Sequence, residues 1–131
     1  MVHGNTFKKA ERLSLNKRIE MLFSTGTVVS QYPVKILWLP SSEPMEYPAQ
    51  VVFTVSHRRF KSSVVRNRIK RRLKEIYRLK KPLLYEELKK HNRKLLVGII
   101  YTGNDPDPRS EFLESILGKS LDLLITAIPS E

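Results

Sequence analysis

The sequence predicts an α+β fold, a two-layer sandwich whose elements run α-β-β-β-α-β-α. Three observations carry this reading. Several short runs of β-branched and aliphatic residues have strand length, and three longer segments repeat apolar residues at helical spacing. A run of strands is followed by a helix and one more strand, which places helices on a small sheet. At 131 residues the chain suits a single domain spanning 1–131. A domain of this size buries roughly two-thirds of the surface its unfolded chain exposes, so it needs no covalent staple.

The first helix is expected over residues 14–25. Ser14 or Asn16 can cap it, Leu15, Ile19, Leu22 and Phe23 share a face, and Gly26 stops it. Residues 28–29 and 34–39 read as strands, and 50–56 (QVVFTVS) as the clearest strand. Trp38 and Tyr32 are read as sheet packing rather than as base-stacking platforms. A basic amphipathic helix follows over 64–80, and Pro82 should end or kink it. Residues 83–92 form a further helical piece, with Glu86 and Lys90 spaced for an i,i+4 pair. Residues 95–102 are a central strand. The last helix, 110–128, carries Phe112, Leu113, Ile116, Leu117, Leu121, Leu124 and Ile125 as a core stripe. The stretches 40–48 and 104–108 are loops.

Several function classes are excluded. The chain has no cysteine, hence no disulfide and no thiolate metal site. Residues 1–11 lack the apolar region of a signal peptide. The longest apolar run, 95–101, falls far short of the roughly 20 residues of a membrane span. The expectation is a soluble cytoplasmic protein with no membrane partner. His3, His57 and His91 are scattered without metal-ligand spacing. Asp105 and Asp107, beside Asn104, could hold a hydrated Mg²⁺, but the reading preferred here is a turn with its caps. No nucleophilic triad and no phosphate-cradling glycine loop is present.

Charge is the strongest functional signal. The net charge of +11 comes from 24 Lys and Arg against 13 Asp and Glu. Twelve of those cations lie between Arg58 and Lys81 with Glu75 as the one acid, so the rest of the chain is neutral. Such a concentrated field draws a polyanion to one face. On a helical projection of 64–80, Val65, Ile69, Leu73, Ile76 and Tyr77 share one face. Asn67, Lys70, Arg71, Lys74 and Arg78 lie opposite, flanked by Arg66, Arg68 and Arg72. Most charged helix faces are merely solvated and mix both signs. Here Lys70, Lys74 and Arg78 repel one another at i,i+4 spacing, a cost that a polyanionic partner would remove. Arginine forks grip phosphate oxygens and stack on bases.

The string Arg66-Asn67-Arg68-Ile69-Lys70-Arg71-Arg72-Leu73-Lys74-Glu75 resembles the RNR signature of the bacterial ribonuclease P protein family. Its context matches: a strand ending Val55-Ser56, then the basic loop His57-Arg58-Arg59-Phe60-Lys61. Upstream, Phe7, Glu11-Arg12-Leu13 and Leu22-Phe23 before Gly26 resemble the family's amino-terminal block, so the likeness covers about residues 7–80. The resemblance implies a ribosomal protein S5 domain 2-like fold with a left-handed βαβ crossover, against the usual hand. It implies a non-catalytic subunit of an endoribonuclease whose RNA is the catalyst. That subunit binds the catalytic RNA and the 5′ leader of precursor tRNA. The protein alone then binds no cofactor, and the RNA-containing holoenzyme requires Mg²⁺. Carried over residue by residue, Arg66, Asn67, Arg68, Lys70, Arg71 and Lys74 would contact the catalytic RNA, and Arg58, Arg59 and Lys61 would extend that surface. Phe23 would line a leader cleft between the first helix and the sheet, with Ile19 where the family usually has a second aromatic. For Phe23 a core position is the competing reading. His57, Lys61, Ser62 and Ser63 also depart from the family pattern. Two other functions compete: a ribosomal or ribosome-assembly RNA-binding protein, and a protein-only nuclease with metal at the acidic loop.

Overall fold

The computed structural model describes residues 7–128, so His3 lies outside the described residues. The elements follow the expected order: α1 (Asn16–Thr25), β1 (Thr27–Gln31), β2 (Val34–Pro40), β3 (Ala49–Val55), α2 (Ser63–Lys90), β4 (Leu95–Tyr101) and α3 (Ser110–Ala127), after a short 3-10 turn at Lys9–Glu11. The four strands form one sheet in the order β1-β2-β4-β3. β1 and β2 pair antiparallel, as do β2 and β4, while β3 and β4 are parallel. Parallel neighbours need a long crossover, and α2 supplies it.

Period-two alternation assigns each strand two faces. Val34, Ile36 and Trp38, then Val51, Phe53 and Val55, then Leu95, Val97, Ile99 and Tyr101 enter the main core. There they meet Ile69, Leu73, Ile76, Tyr77, Leu84 and Leu88 of α2 and Leu113, Leu117, Leu121 and Leu124 of α3. Leu37 and Leu96 face the other way, into a smaller cluster with Leu13, Leu22 and Met45. The sheet against α2 and α3 is the sandwich; α1 covers part of the opposite face, over β2 and β4. A Cβ at Gly98 would stand 3.3 Å from Leu22 Cδ2 and 3.7 Å from Phe23 Cε1, so the missing side chain lets α1 lie close.

Several expectations are corrected. Pro82 does not end the basic helix: α2 runs for 28 residues, and the separate piece over 83–92 is its continuation. A proline inside a helix forfeits one hydrogen bond and costs about 3 kcal/mol. Buried Tyr77 and Lys81 on one side of it and Leu84, Tyr85 and Leu88 on the other hold the helix to the core. Its end is a Schellman arrangement, with Arg93 N–H on Leu88 O (2.8 Å), Asn92 N–H on Lys89 O (3.1 Å) and Asn92 at φ 53°. Neither Ser14 nor Asn16 caps α1, whose N-cap is Leu15 with no side-chain bond. Lys90 pairs with Glu87 at 3.7 Å, one turn position short of the expected Glu86. Trp38 is buried as expected, but Tyr32 is 65% exposed in the β1–β2 turn. Phe112 is 49% exposed and leaves the core stripe of α3. Among the described residues no helix is long and apolar enough to cross a membrane.

Candidate nucleic-acid interface

The basic loop before α2 is held from both ends. Phe60 stacks on Tyr101 of β4 with ring centroids 6.2 Å apart, and Phe60 N–H donates to Ser56 O at 3.0 Å. Arg66 Nη1 then donates to Phe60 O (2.8 Å) and Lys61 O (3.0 Å), tying the loop to the helix. Ser62 is the N-cap of α2, its Oγ accepting from Val65 N–H at 3.3 Å. A departure from the family pattern therefore has a local structural use. His57, Arg58, Arg59 and Lys61 are exposed beside the helix start.

The apolar face of α2 is where the helical projection places it: Ile69, Leu73 and Tyr77 are fully buried, Ile76 nearly so, and Val65 packs against the core edge. The opposite side divides into two flanks. On one, Asn67, Lys70, Arg71 and Lys74 line a cleft of about 710 Å³. Its other walls are Val51, Val52 and Phe53 of β3 and the N-terminal block, which adds Lys9 and Arg12. Among the described residues lining it there is no Asp or Glu. Cations from two separate elements thus converge over an apolar floor. Such a cleft can seat phosphates on its rim and a base against its walls.

The sequence reading missed Lys9 and Arg12, and the reason is visible. Their block reaches the cleft through a buried anchor that no periodicity announces. Leu13 N–H donates to Val51 O at 3.0 Å, and Arg12 bridges Val51 in parallel register. Glu11, fully buried, forms an ion pair with buried Lys81 and accepts from the Tyr85 hydroxyl. Its other oxygen accepts Lys8 N–H at 2.7 Å. Phe7 meets Phe53 and Tyr77 edge-on at 5.8 and 5.9 Å. One signal was available: an acid in an otherwise basic block, Glu11 between Lys9 and Arg12, paired with a lysine at a core position of a helix. Lys81, the last of the twelve cations in the basic stretch, belongs to the core.

The other flank of α2 faces the loop between β4 and α3. Asp107 Oδ1 accepts from Arg72 Nη1 at 2.6 Å and lies 3.5 Å from Arg68 Nε. Arg68 Nη2 donates to Pro106 O (2.8 Å), Arg72 Nη1 also to Pro108 O (2.7 Å), and Arg59 Nη1 to Asn104 Oδ1. The hydrogen bond from Arg72, with the charges of Arg72 and Arg68, holds the Asp107 carboxyl below its ordinary value. Asp107 N–H donates to Asp105 Oδ1 at 2.8 Å, so the acidic loop is the turn expected of it. Further along, Glu75 accepts from Arg78, which lowers the Glu75 pKa, and Lys80 stands 3.9 Å from Glu114.

Phe23 and Ile19 are not in this cleft. They lie on α1, across the sheet from α2. Ile19 is partly buried in the smaller cluster, whereas Phe23 is 44% exposed and so is not a core residue. Among the described residues no three His, Cys, Asp or Glu side chains come together in a way that could hold a metal ion.

Comparison with known proteins gives one consistent result. The Ribonuclease P family model matches residues 7–101. The ribonuclease P protein component of Porphyromonas gingivalis is 31% identical over 123 residues, 93% of this chain and 88% of that protein. The protein of the same name from Petrotoga mobilis is 38% identical over 88 residues, 65% of this chain and 71% of its own. The solved RNase P protein of Staphylococcus aureus superposes with a TM-score of 0.67 at 19% identity, over 88% of this chain and 96% of that one. For that of Thermotoga maritima the TM-score is 0.66 at 19% identity, over 91% and 99%. These structures share the fold.

Proposed function

The chain belongs to the ribonuclease P protein family, and we propose that it acts as the protein subunit of a ribonuclease P ribonucleoprotein. In this reading it binds the catalytic RNA and the 5′ leader of precursor tRNA and assists removal of the leader in the cytoplasm. The RNA carries the catalysis and holds the Mg²⁺ that the holoenzyme needs. The observation that carries the reading is the cleft in which Asn67, Lys70, Arg71 and Lys74 of α2 meet Lys9 and Arg12 of the N-terminal block, with no acid among the described residues that line it.

The chemistry follows from that placement. Two RNAs brought together repel, and cations from both elements lower that repulsion while displacing counterions. Arg66 keeps the basic loop against the helix, so Arg58 and Lys61 extend the same surface, while Arg59 reaches Asn104 on the other flank. Exposed Phe23, on the far face of the sheet, would offer a ring on which a leader base stacks.

Reconstitution tests this directly. Added to a ribonuclease P RNA transcript at low Mg²⁺, the protein should stimulate cleavage of precursor tRNA, with no cleavage when the RNA is left out. Absence of stimulation, with RNA binding intact, would favour the ribosome-assembly reading. Cleavage by the protein alone would favour a protein-only nuclease.

A further inference from the structure

We propose that Asp107 is a built-in stand-in for an RNA phosphate, which occupies one flank of α2 and confines the polyanion to the other, cleft-facing flank. The inference rests on the RNA-binding reading above and goes beyond it by assigning opposite roles to cations that the sequence presents as one set.

The geometry makes the assignment. Arg68 and Arg72 sit one turn apart on α2, where like charges repel. A single carboxylate oxygen of Asp107 lies between them, 3.5 Å from Arg68 Nε and 2.6 Å from Arg72 Nη1. The backbone carbonyls of Pro106 and Pro108 accept from the same two guanidinium groups. One loop thus presents an anion and two carbonyl oxygens, the kinds of acceptor that a phosphodiester would bring. The loop is shaped for this. The Asp105 carboxylate turns the chain onto Asp107 N–H, the Tyr101 hydroxyl donates to Asp105 O at 2.9 Å, and Pro108 is buried. Asn104 extends the grip to Arg59 of the basic loop. Asp107 stays ionised at neutral pH, because its partners stabilise the charged form.

The two flanks therefore differ in kind. A phosphate approaching the loop flank meets the Asp105 and Asp107 carboxylates and two arginines that each already donate to the loop. A phosphate approaching the cleft flank meets Asn67, Lys70, Arg71 and Lys74, with Lys9 and Arg12 across from them. Asp107 acts as a specificity-determining residue: it sets the side of the helix along which RNA runs.

The test is RNA binding by Asp107→Asn, followed by fluorescence anisotropy with a labelled ribonuclease P RNA and with a single-stranded oligouridylate. Releasing the loop flank should make the variant bind both RNAs more tightly. The log–log salt slope should steepen by roughly 0.7–0.9 for each phosphate gained, so the advantage over wild type shrinks about threefold per contact between ~50 and ~200 mM salt. Asp107→Ser, which also removes the charge and suits a turn, should give the same gain. Glu86→Gln changes the net charge equally at an exposed site near the other end of α2 and should leave binding unaltered. Affinity and slope equal to or below wild type in the Asp107 variants would overturn the inference, as would an equal gain in Glu86→Gln. Wild-type protein that fails to bind RNA would instead overturn the functional reading itself.

Discussion

Replacing Lys81 with methionine would test the buried pair that pins the N-terminal block to α2. Glu11 and Lys81 are essentially solvent-free, and they are 70 residues apart in sequence. Methionine keeps most of the lysine stem and removes the charge, leaving a carboxylate with the Tyr85 hydroxyl and Lys8 N–H as donors. Removing one partner of a buried pair costs about 3–5 kcal/mol. Glu11→Gln leaves the cation instead, 5.9 Å from the Phe7 ring and 5.5 Å from that of Tyr85, and should cost a similar amount, because a buried charge has lost its counter-charge. Urea denaturation at pH 7 reads both, and the double variant should be more stable than either single one. A double variant no better than the singles would refute the reasoning.

Three further outcomes are expected. Arg71→Ala should lower the magnitude of the salt slope for RNA binding by up to about one unit, and Arg68→Ala by less, because the loop already engages Arg68; equal losses in anisotropy titrations would contradict the two-flank picture. Burial pushes the Tyr77 and Tyr85 phenols above the ordinary value of 10.0, so their contribution to stability is intact below that pH and lost as pH rises above it; urea midpoints should fall on the alkaline side, and less so in Tyr77→Phe. Phe23→Ala should cost less than the ~3–5 kcal/mol of a buried phenylalanine, since the ring is 44% exposed, and should slow cleavage of leader-bearing substrate while leaving mature tRNA binding unchanged.

Element order was legible because it depends on local pattern. The strand at 50–56 lies within one residue of β3, and the projection of 64–80 put Ile69, Leu73 and Tyr77 on the buried face where they are found. Pro82 misled because a helix-breaking propensity of a few kcal/mol was weighed without the packing of Leu84, Tyr85 and Leu88, which lies in tertiary structure. The site was half legible. Asn67, Lys70, Arg71 and Lys74 stand together because one helix spaces them. Lys9 and Arg12 join them through Glu11 and Lys81, and Arg68 and Arg72 leave them through Asp107, 35 and more residues away. Pairings at that separation carry no sequence period, so composition alone counts all these cations as one surface.

The placement of counter-charges has a consequence for the isolated protein. Asp107, Glu75, Glu114 and Glu11 each take a cation of α2, and none of them lines the cleft. The described residues lining the cleft thus hold Lys70, Arg71 and Lys74 against Lys9 and Arg12 with no carboxylate beside them. A small divalent anion should relieve the repulsion there. At tenfold above its Kd, a ligand bound only by the folded state adds about 1.4 kcal/mol, which is several degrees in Tm for a domain of this size. Sulfate should raise Tm more than chloride does at equal ionic strength. Part of that rise is general, because sulfate is excluded from protein surfaces. The site-specific part is what Arg71→Ala/Lys74→Ala should lose, since the double variant has fewer charges to relieve. It should start nearer its own maximum stability in low salt and gain less from sulfate. Equal sulfate gains in wild type and double variant would mean that the cleft holds no concentrated charge, and the case for a phosphate-seating site would fall with it.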